Sequence, residues 1–414
     1  MGDIYSNCLC NIAATKSVDS DGGIFFERDP NLVKPVKLAI KWTGRDKRAV
    51  IIHGQGVYYI YLDGLWADHV ESAPLNTRGW VIQERLLSPW IIHFGERLFW
   101  ECNATAACEI APTGKPYLGG YGYKGFCRDL RSALMQLSLG SFQPLEGQHE
   151  PKKMAYAKWW ELIEKYSDCK LSKDDDILVA VSGIAKIMSQ AIGDEYLAGL
   201  WRSRFLLDLL WSPHFPKGFI RPPELDRASP YRAPSWSWAS IKGPIWPGNH
   251  QSISAADLGF SDTKVDVVEL LQVIINAKGE DMTGQVTGGN FSVRCRTFYA
   301  TWDQKETYNN NLEINVMDNV FKGVVYLDEK GTWERLVSSK DNSLLCMPIF
   351  LKCSRAGNTY MSCDGLVLEP TGLRKGDYVR IGLFGASCRA PTMVDFLAYT
   401  EVYNKRRKET VTLY

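Results

Sequence analysis

The spacing of apolar residues changes twice along this chain. A chain whose hydrophobic period changes cannot be one uniform bundle, sheet or solenoid. From Met1 to about Leu139 the apolar residues come in short runs, at Val50 to Ile52, Val57 to Leu62 and Trp90 to Phe94, between Gly-marked turns. Between the last two runs lies the segment Pro74 to Pro89. There Asn76 is placed to cap a helix whose first turn is Thr77-Arg78-Gly79, and Pro89 to stop it. The pattern predicts a helix over Arg78 to Leu87 that is apolar on nearly every side, through Trp80, Val81, Ile82, Leu86 and Leu87. Such a helix belongs in a core, packed on strands near Tyr58 to Leu62 and Trp90 to Phe94. Strand–helix–strand alternation implies α/β packing.

The middle of the chain switches to the helical period. Ala155, Trp159, Leu162, Ile163 and Tyr166 form a single stripe over Met154 to Tyr166. Asp174-Asp175-Asp176 suits the positive start of a second helix, which Gly193 ends. A third helix is expected over Glu195 to Trp211. Prolines 213, 216, 222, 223, 230 and 234 then mark an irregular linker. From about Ala233 the period becomes two. Trp236 and Trp238 alternate with Ser235 and Ser237, and alternation recurs at Phe291 to Thr297 and Tyr378 to Leu383. Short alternating strands between turns imply an antiparallel sandwich or barrel. No fixed-period repeat is present. The expected class is therefore α+β, with an α/β unit over residues 1–140, a helical segment over 150–215 and an antiparallel β-rich unit over 233–414.

Composition narrows the function. In 414 residues, 48 Lys and Arg nearly cancel 47 Asp and Glu, so no global field favours nucleic acid. No run approaches the ~18–20 apolar residues of a spanning helix, since Ser182, Lys186, Ser189 and Gln190 break Ile177 to Ile192. Asp3, Asn7 and Asn11 argue against a secretory signal. The expectation is a cytoplasmic protein with no membrane and no nucleic-acid partner. Met1-Gly2-Asp3-Ile4-Tyr5-Ser6 fits a loose myristoylation pattern, with Cys8 and Cys10 nearby, but so short a pattern also arises by chance. The 11 cysteines are odd in number and unpatterned, with no CxxC. Cys8/Cys10 and Cys102/Cys108 lack zinc-site spacing. Reduced thiols, no structural disulfide and no metal are expected.

The motifs align with a known family. Leu75 through Ser88, followed by Phe99-Trp100-Glu101-Cys102, resembles the last signature block of fungal heterokaryon-incompatibility (HET) domain proteins. Ile4-Tyr5-Ser6-Asn7, Asn11 to Thr15 and Gly22-Gly23-Ile24-Phe25 resemble the stretch before that block. Trp159-Trp160-Glu161, Ser182 to Ala185, Tyr196 to Trp201, Ala233 to Ser240, Gly365 to Leu368 and Arg380 to Phe384 resemble the usual C-terminal extension. Two earlier blocks of the family, an aromatic-Cys/Val-Trp-Gly segment and a Trp-Ile-Asp-x-Leu-Cys-Ile segment, are absent. The expectation is thus a HET domain without its first half.

This resemblance implies a role in non-self recognition and programmed cell death, as a signalling or toxicity module acting through a protein partner or self-association. It also implies a distant, TIR-like fold for the first unit. Some TIR domains cleave the glycosidic bond of NAD with a Glu in a Trp-Cys-x-x-Glu helix. Trp80 and Glu84 have that spacing here, with Val81 in place of Cys. By this likeness Glu84 and Trp80 are the candidate catalytic residues, and NAD enters only as a substrate, with no cofactor.

The residues alone are compatible with this reading. Trp80, Glu84 and Leu87 share one helix face, and apolar neighbours raise a carboxyl's pKa. Such a group suits N-glycosidic cleavage. A Glu there equally pairs with Arg78 or Arg85 as a structural ion pair, and the sequence leaves both open. The alternatives to the signalling role are a TIR-like NAD glycohydrolase using Glu84 and an inert truncated paralogue that only binds. Weaker constellations are His93 with Cys102, a stacking pair at Trp236 and Trp238, Gly119 to Tyr123 without the ending of a phosphate loop, and the basic run Lys405 to Lys408. Buried thiols and core tryptophans account for the first two.

Overall fold

The computed structural model describes residues 1–29, 31, 36–45, 51–60, 64–102, 105–112, 130, 151–214, 225–248, 263–308, 311–316, 321–339, 341–354, 360–389 and 407–414. Gly119 to Tyr123, Leu62 and the start of the Lys405 run lie outside them. The chain divides into two compact units, Met1–Ser132 and Ala133–Tyr414. Helices and strands are both abundant, and the fold is mixed α+β.

In the first unit, strand β1 (Asn11–Ala13) runs parallel to β4 (Trp90–His93). Antiparallel strands β5 (Phe99–Cys102) and β6 (Ala106–Cys108) complete the sheet in the order β1-β4-β5-β6. The short helix α1 (Gly2–Ser6) precedes β1, and α2 (Gly79–Leu87) precedes β4. Helix α2 thus lies on the connection between two parallel strands, as α/β packing requires. Val81, Ile82, Leu86 and Leu87 are buried, with Gly79, Gln83 and Arg85.

Two local expectations are corrected. Asn76 does not cap α2, because Pro74–Thr77 forms a 3-10 turn. Its side-chain amide donates to the carbonyl of Val70 instead, and Arg78 takes the cap position without a side-chain bond. The run near Tyr58 is a strand, β3 (Ile51–Ile60), but among the described residues it pairs only with β2 (Val36–Arg45), in a two-stranded ribbon. The strand that shares a sheet with β4 across α2 is β1, which at three residues is too short to stand out in the sequence.

The second unit opens with α3 (Pro151–Ser167) and α4 (Val179–Ile192). Gly193 ends α4 in the left-handed region at φ 62°, as its position predicts. The expected third helix is not formed. Tyr196–Leu197 (β7) turns back on Leu200–Trp201 (β8), and only Phe205–Asp208 (α5) is α-helical. The turn uses Ala198 at φ 47° and Gly199 at φ 103°, both incompatible with a right-handed helix. The carbonyl of Gly199 accepts from the indoles of Trp159 and Trp238, each at 3.1 Å. Tertiary bonds to two tryptophans thus hold the turn.

Ser235 to Ser240 is likewise a turn and a short 3-10 segment, not a strand. The Ser237 hydroxyl donates to the Ala198 carbonyl at 2.6 Å and accepts from the Ala239 amide, which bends the backbone out of extension. Trp236 and Trp238 are core residues, 0% and 1% exposed. Short pairs follow in Ser212–Pro213 (β9) with Ile245–Trp246 (β12), and Asp226–Arg227 (β10) with Ile241–Lys242 (β11).

The β-rich remainder is a closed barrel with an extension. Its strands are β13 (Thr263–Asp266), β14 (Glu269–Ala277), β15 (Val286–Cys295), β16 (Phe298–Tyr308), β17 (Asn311–Val316), β18 (Phe321–Leu327), β19 (Ser343–Ser354), β20 (Tyr360–Pro370), β21 (Asp377–Arg389) and β22 (Glu409–Leu413). Antiparallel pairings run β16-β17-β18-β21-β20-β19 and return to β16, which closes a six-stranded ring. Closure removes free edges. From β21 the sheet continues through β22 to β15 and β14, where β22 is parallel to β21 and antiparallel to β15. Helix α6 (Lys330–Ser338) follows β18.

A buried ion pair joins this sheet to the helical residues of the same unit. Asp328 and Arg380 are both 0% exposed and meet twice, at 3.0 Å through Nε and 3.0 Å through Nη2. Arg380 also donates to the carbonyls of Leu209 and Trp211, each at 2.6 Å, and stacks 3.6 Å over the Trp211 ring. Arg227 adds a second cation to Asp328 at 3.2 Å.

Candidate functional site

A cavity of about 230 Å³ opens in the first unit. Its walls come from α1 (Tyr5), the β1 segment (Asn11 to Ala14), the turn before α2 (Leu75, Asn76), α2 itself (Val81, Glu84, Arg85) and β4 (Ile91, His93). Val81, Glu84 and Arg85 stand at i, i+3 and i+4, so they share one helix face. Trp80 is half-buried but is not part of the lining, so of the two residues the sequence marked only Glu84 faces the cavity.

Glu84 is half-buried, and its pKa is raised, chiefly by loss of water around the charged form. A bond from the Tyr5 hydroxyl and the charge of Arg78 oppose the rise. The Tyr5 hydroxyl is pushed up to about 12 by burial, then by the Glu84 charge and the bond it donates to Glu84. Tyr5 thus ties α1 to α2 at the cavity wall. Cys8 adds a longer thiol contact to Ser88 at 3.7 Å.

A carboxyl with a raised folded pKa stabilises the fold fully below its ordinary value, and the contribution is lost as pH rises through the folded value. From the ordinary value of 4.5 upward, Glu84 should therefore cost the native chain stability. Glu84→Gln is expected to flatten that decline, read as urea-unfolding free energies across a pH series from acid to neutral. Parallel curves for the two proteins would show that Glu84 titrates alike folded and unfolded.

Beside Glu84 lies a buried polar network that sequence reasoning missed. Arg85 binds Glu101 on β5 through Nε at 3.1 Å and Nη2 at 2.9 Å, a two-pronged pair with both side chains at most 7% exposed. His93 on β4 sits between Glu101, 3.2 Å from Nε2, and the Thr15 hydroxyl, 2.9 Å from Nδ1. The Glu101 carboxylate can only accept, so the Nε2 proton faces it. Arg85 also lies 5.7 Å over the Trp66 ring, and Trp66 meets His93 edge-on at 5.7 Å. This network fixes α2 against β4 and β5 and so fixes the wall that carries Glu84.

The His93 and Cys102 pair is not brought together. Across the ladder Cys102 stands opposite Trp90, while His93 stands opposite Phe99. Alternation puts Cys102 on the sheet face away from His93. Cys8, Cys10, Cys102, Cys108, Cys169, Cys295, Cys346 and Cys363 are free thiols. Among the described residues no three His, Cys, Asp or Glu side chains converge in a cation site. No described helix is long and apolar enough to cross a membrane.

The site is thus a small cavity between a parallel strand pair and a buried helix, with one desolvated carboxyl and a braced wall. The family model described as Heterokaryon incompatibility protein (HET) matches residues 1–84, a stretch that includes α1, β1 and the part of α2 up to Glu84. No curated protein and no solved structure matches the chain.

Proposed function

We propose that the chain acts in heterokaryon incompatibility, as a signalling or toxicity module of fungal non-self recognition and programmed cell death. The supporting observation is that most of the cavity wall, from Tyr5 to Glu84, comes from the HET-family segment. On this reading the chain works in the cytoplasm through a protein partner or a second copy of itself.

A second reading is favoured by one observation, the raised pKa of Glu84 at the cavity. A carboxyl in that setting suits cleavage of the N-glycosidic bond of NAD in a TIR-like manner. The cavity, at about 230 Å³, falls below the ~300–1,000 Å³ of ordinary small-molecule sites. A dinucleotide would not be enclosed, and its reacting bond would not be held in one geometry. The chain alone is therefore expected to consume little or no NAD.

Inducible expression of the full chain in fungal cells, beside purified protein in an NAD-consumption assay, separates these readings. Growth arrest with NAD left intact is the expected result. NAD loss that disappears with Glu84→Ala would replace the signalling role with the enzymatic one. Unimpaired growth at confirmed expression would overturn toxicity and leave a binding module.

A further inference from the structure

The fold brings the basic run that ends on Lys408 to a second basic segment, forty residues earlier in the barrel sheet. Strands β20 and β21 are joined by the hairpin tip Thr371-Gly372-Leu373-Arg374-Lys375-Gly376. Gly372 and Gly376, at φ 75° and 95°, turn the backbone on either side of the three residues between them. The base of the tip is tied by backbone bonds. The Thr371 amide donates to the Asp377 carbonyl at 3.0 Å, and the Asp377 amide donates to the Arg374 carbonyl at 3.2 Å. The Leu373 amide donates to the Thr371 hydroxyl at 3.3 Å. At the apex Leu373 is 84% exposed, more than any other large apolar side chain among the described residues. Arg374 and Lys375 are exposed beside it.

Strand β22 runs parallel to β21, with Asp377 opposite Thr412, and the Thr412 amide donates to the Gly376 carbonyl at 2.8 Å. Segments that lead into parallel neighbours enter at the same end of a sheet. Arg407 and Lys408, which lead into β22 and are exposed, therefore stand at the same end as Arg374 and Lys375. Among the described residues none of these four cations is in an ion pair. Two acidic residues at this end are already bridged, Glu369 by Arg335 at 2.9 Å and Glu269 by Arg294 at 3.5 Å. Glu409 accepts from the Thr297 hydroxyl, and Asp377 completes the acidic groups near the tip. The end of the sheet thus carries a positive surplus around a projecting leucine.

We infer that this end of the barrel sheet docks on an anionic lipid surface, with Leu373 inserted and Arg374, Lys375, Arg407 and Lys408 on the headgroups. Charge complementarity supplies the first part of the argument. Unpaired cations clustered at one end are attracted to acidic lipid within about one Debye length of the surface. The leucine supplies the second part and selects among anionic surfaces. Cations alone would suit the phosphates of a nucleic acid equally well. An apolar side chain held out in water at the centre of those cations gains only where hydrocarbon lies behind the charges. The tied base and the two glycine turns hold the tip in one shape before contact, so little order is lost on docking. The contact is peripheral. The expectation of no membrane partner rested on the length of a spanning segment, which does not bear on a surface contact.

The test is co-sedimentation of the full chain with sucrose-loaded vesicles of phosphatidylcholine, with and without phosphatidylserine. It needs no cellular readout, so its failure is distinct from failure of the incompatibility reading. Wild-type protein is expected to pellet with the phosphatidylserine vesicles, to stay in solution with phosphatidylcholine alone, and to lose binding as salt rises. Replacing Arg374→Gln and Lys375→Gln together should weaken binding about twentyfold or more, at about fivefold for each cation. Leu373→Ser should weaken it about tenfold and leave the salt dependence in place, while Leu373→Phe retains it. All of these positions are exposed, and circular dichroism of each variant controls for folding. A DNA duplex in the same buffer is the competing surface. No binding to phosphatidylserine vesicles, binding unmoved by Leu373→Ser or by the double replacement, or tighter binding to the duplex than to the vesicles overturns the inference.

Discussion

Asp328→Ala is expected to destabilise the second unit by about 3–5 kcal/mol, the usual cost of removing one partner from a buried pair. Arg380 is fully buried, and burial lowers its pKa while the Asp328 charge opposes that fall. Without Asp328 the guanidinium keeps its bonds to Leu209 and Trp211 but loses its counter-charge. Arg227 would face the same vacated site. A double replacement, Asp328→Leu with Arg380→Met, should cost much less, because it leaves no unpaired charge. Urea unfolding monitored by tryptophan fluorescence measures both. A loss under about 1 kcal/mol for Asp328→Ala would mean that water reaches the guanidinium and the pair is not desolvated.

Gly199→Ala is expected to cost about 3 kcal/mol or more, through two additive causes. The backbone φ of 103° is strained for any residue with a Cβ. A Cβ at this position would also stand 2.9 Å from Cε2 of Trp238 and closer still to its Nε1. That ring cannot swing aside cheaply, since its indole nitrogen donates to the Gly199 carbonyl. Thermal unfolding with near-ultraviolet circular dichroism reads the loss of stability and the disturbed tryptophans together. Wild-type stability in the variant would show that the β7–β8 turn is not held as described.

These two positions show what the sequence could reveal. The stripe from Ala155 to Tyr166 is local and periodic, and α3 appears where it predicts, as does the stop of α4 at Gly193. The Tyr196 to Trp211 stretch is equally apolar, yet its turn is decided by Trp159 and Trp238, some forty residues away on either side. The Ser-Trp alternation at residues 235–240 misled for the same reason, because Ser237 is bent by a bond to Ala198.

The candidate site divides likewise. Glu84 was legible from its helix and its spacing to Trp80. Tyr5, His93, Glu101 and Arg85 were not, because they meet only through the parallel register of β1 on β4 and the antiparallel register of β4 on β5. Adjacent Glu84 and Arg85 take different roles. One faces the cavity, and the other faces Glu101 inside the protein.

The place of β22 sets an order on synthesis. Residues 409–413 fill the gap between β15 and β21, which are made long before them. While the nascent chain emerges, both flanking strands present unsatisfied amides and carbonyls along the same slot. Any strand of similar pattern from a neighbouring polysome chain can enter it. A stop codon before position 409 would leave the slot open permanently, so a lesion that removes only a few residues should turn a folding protein into an aggregating one.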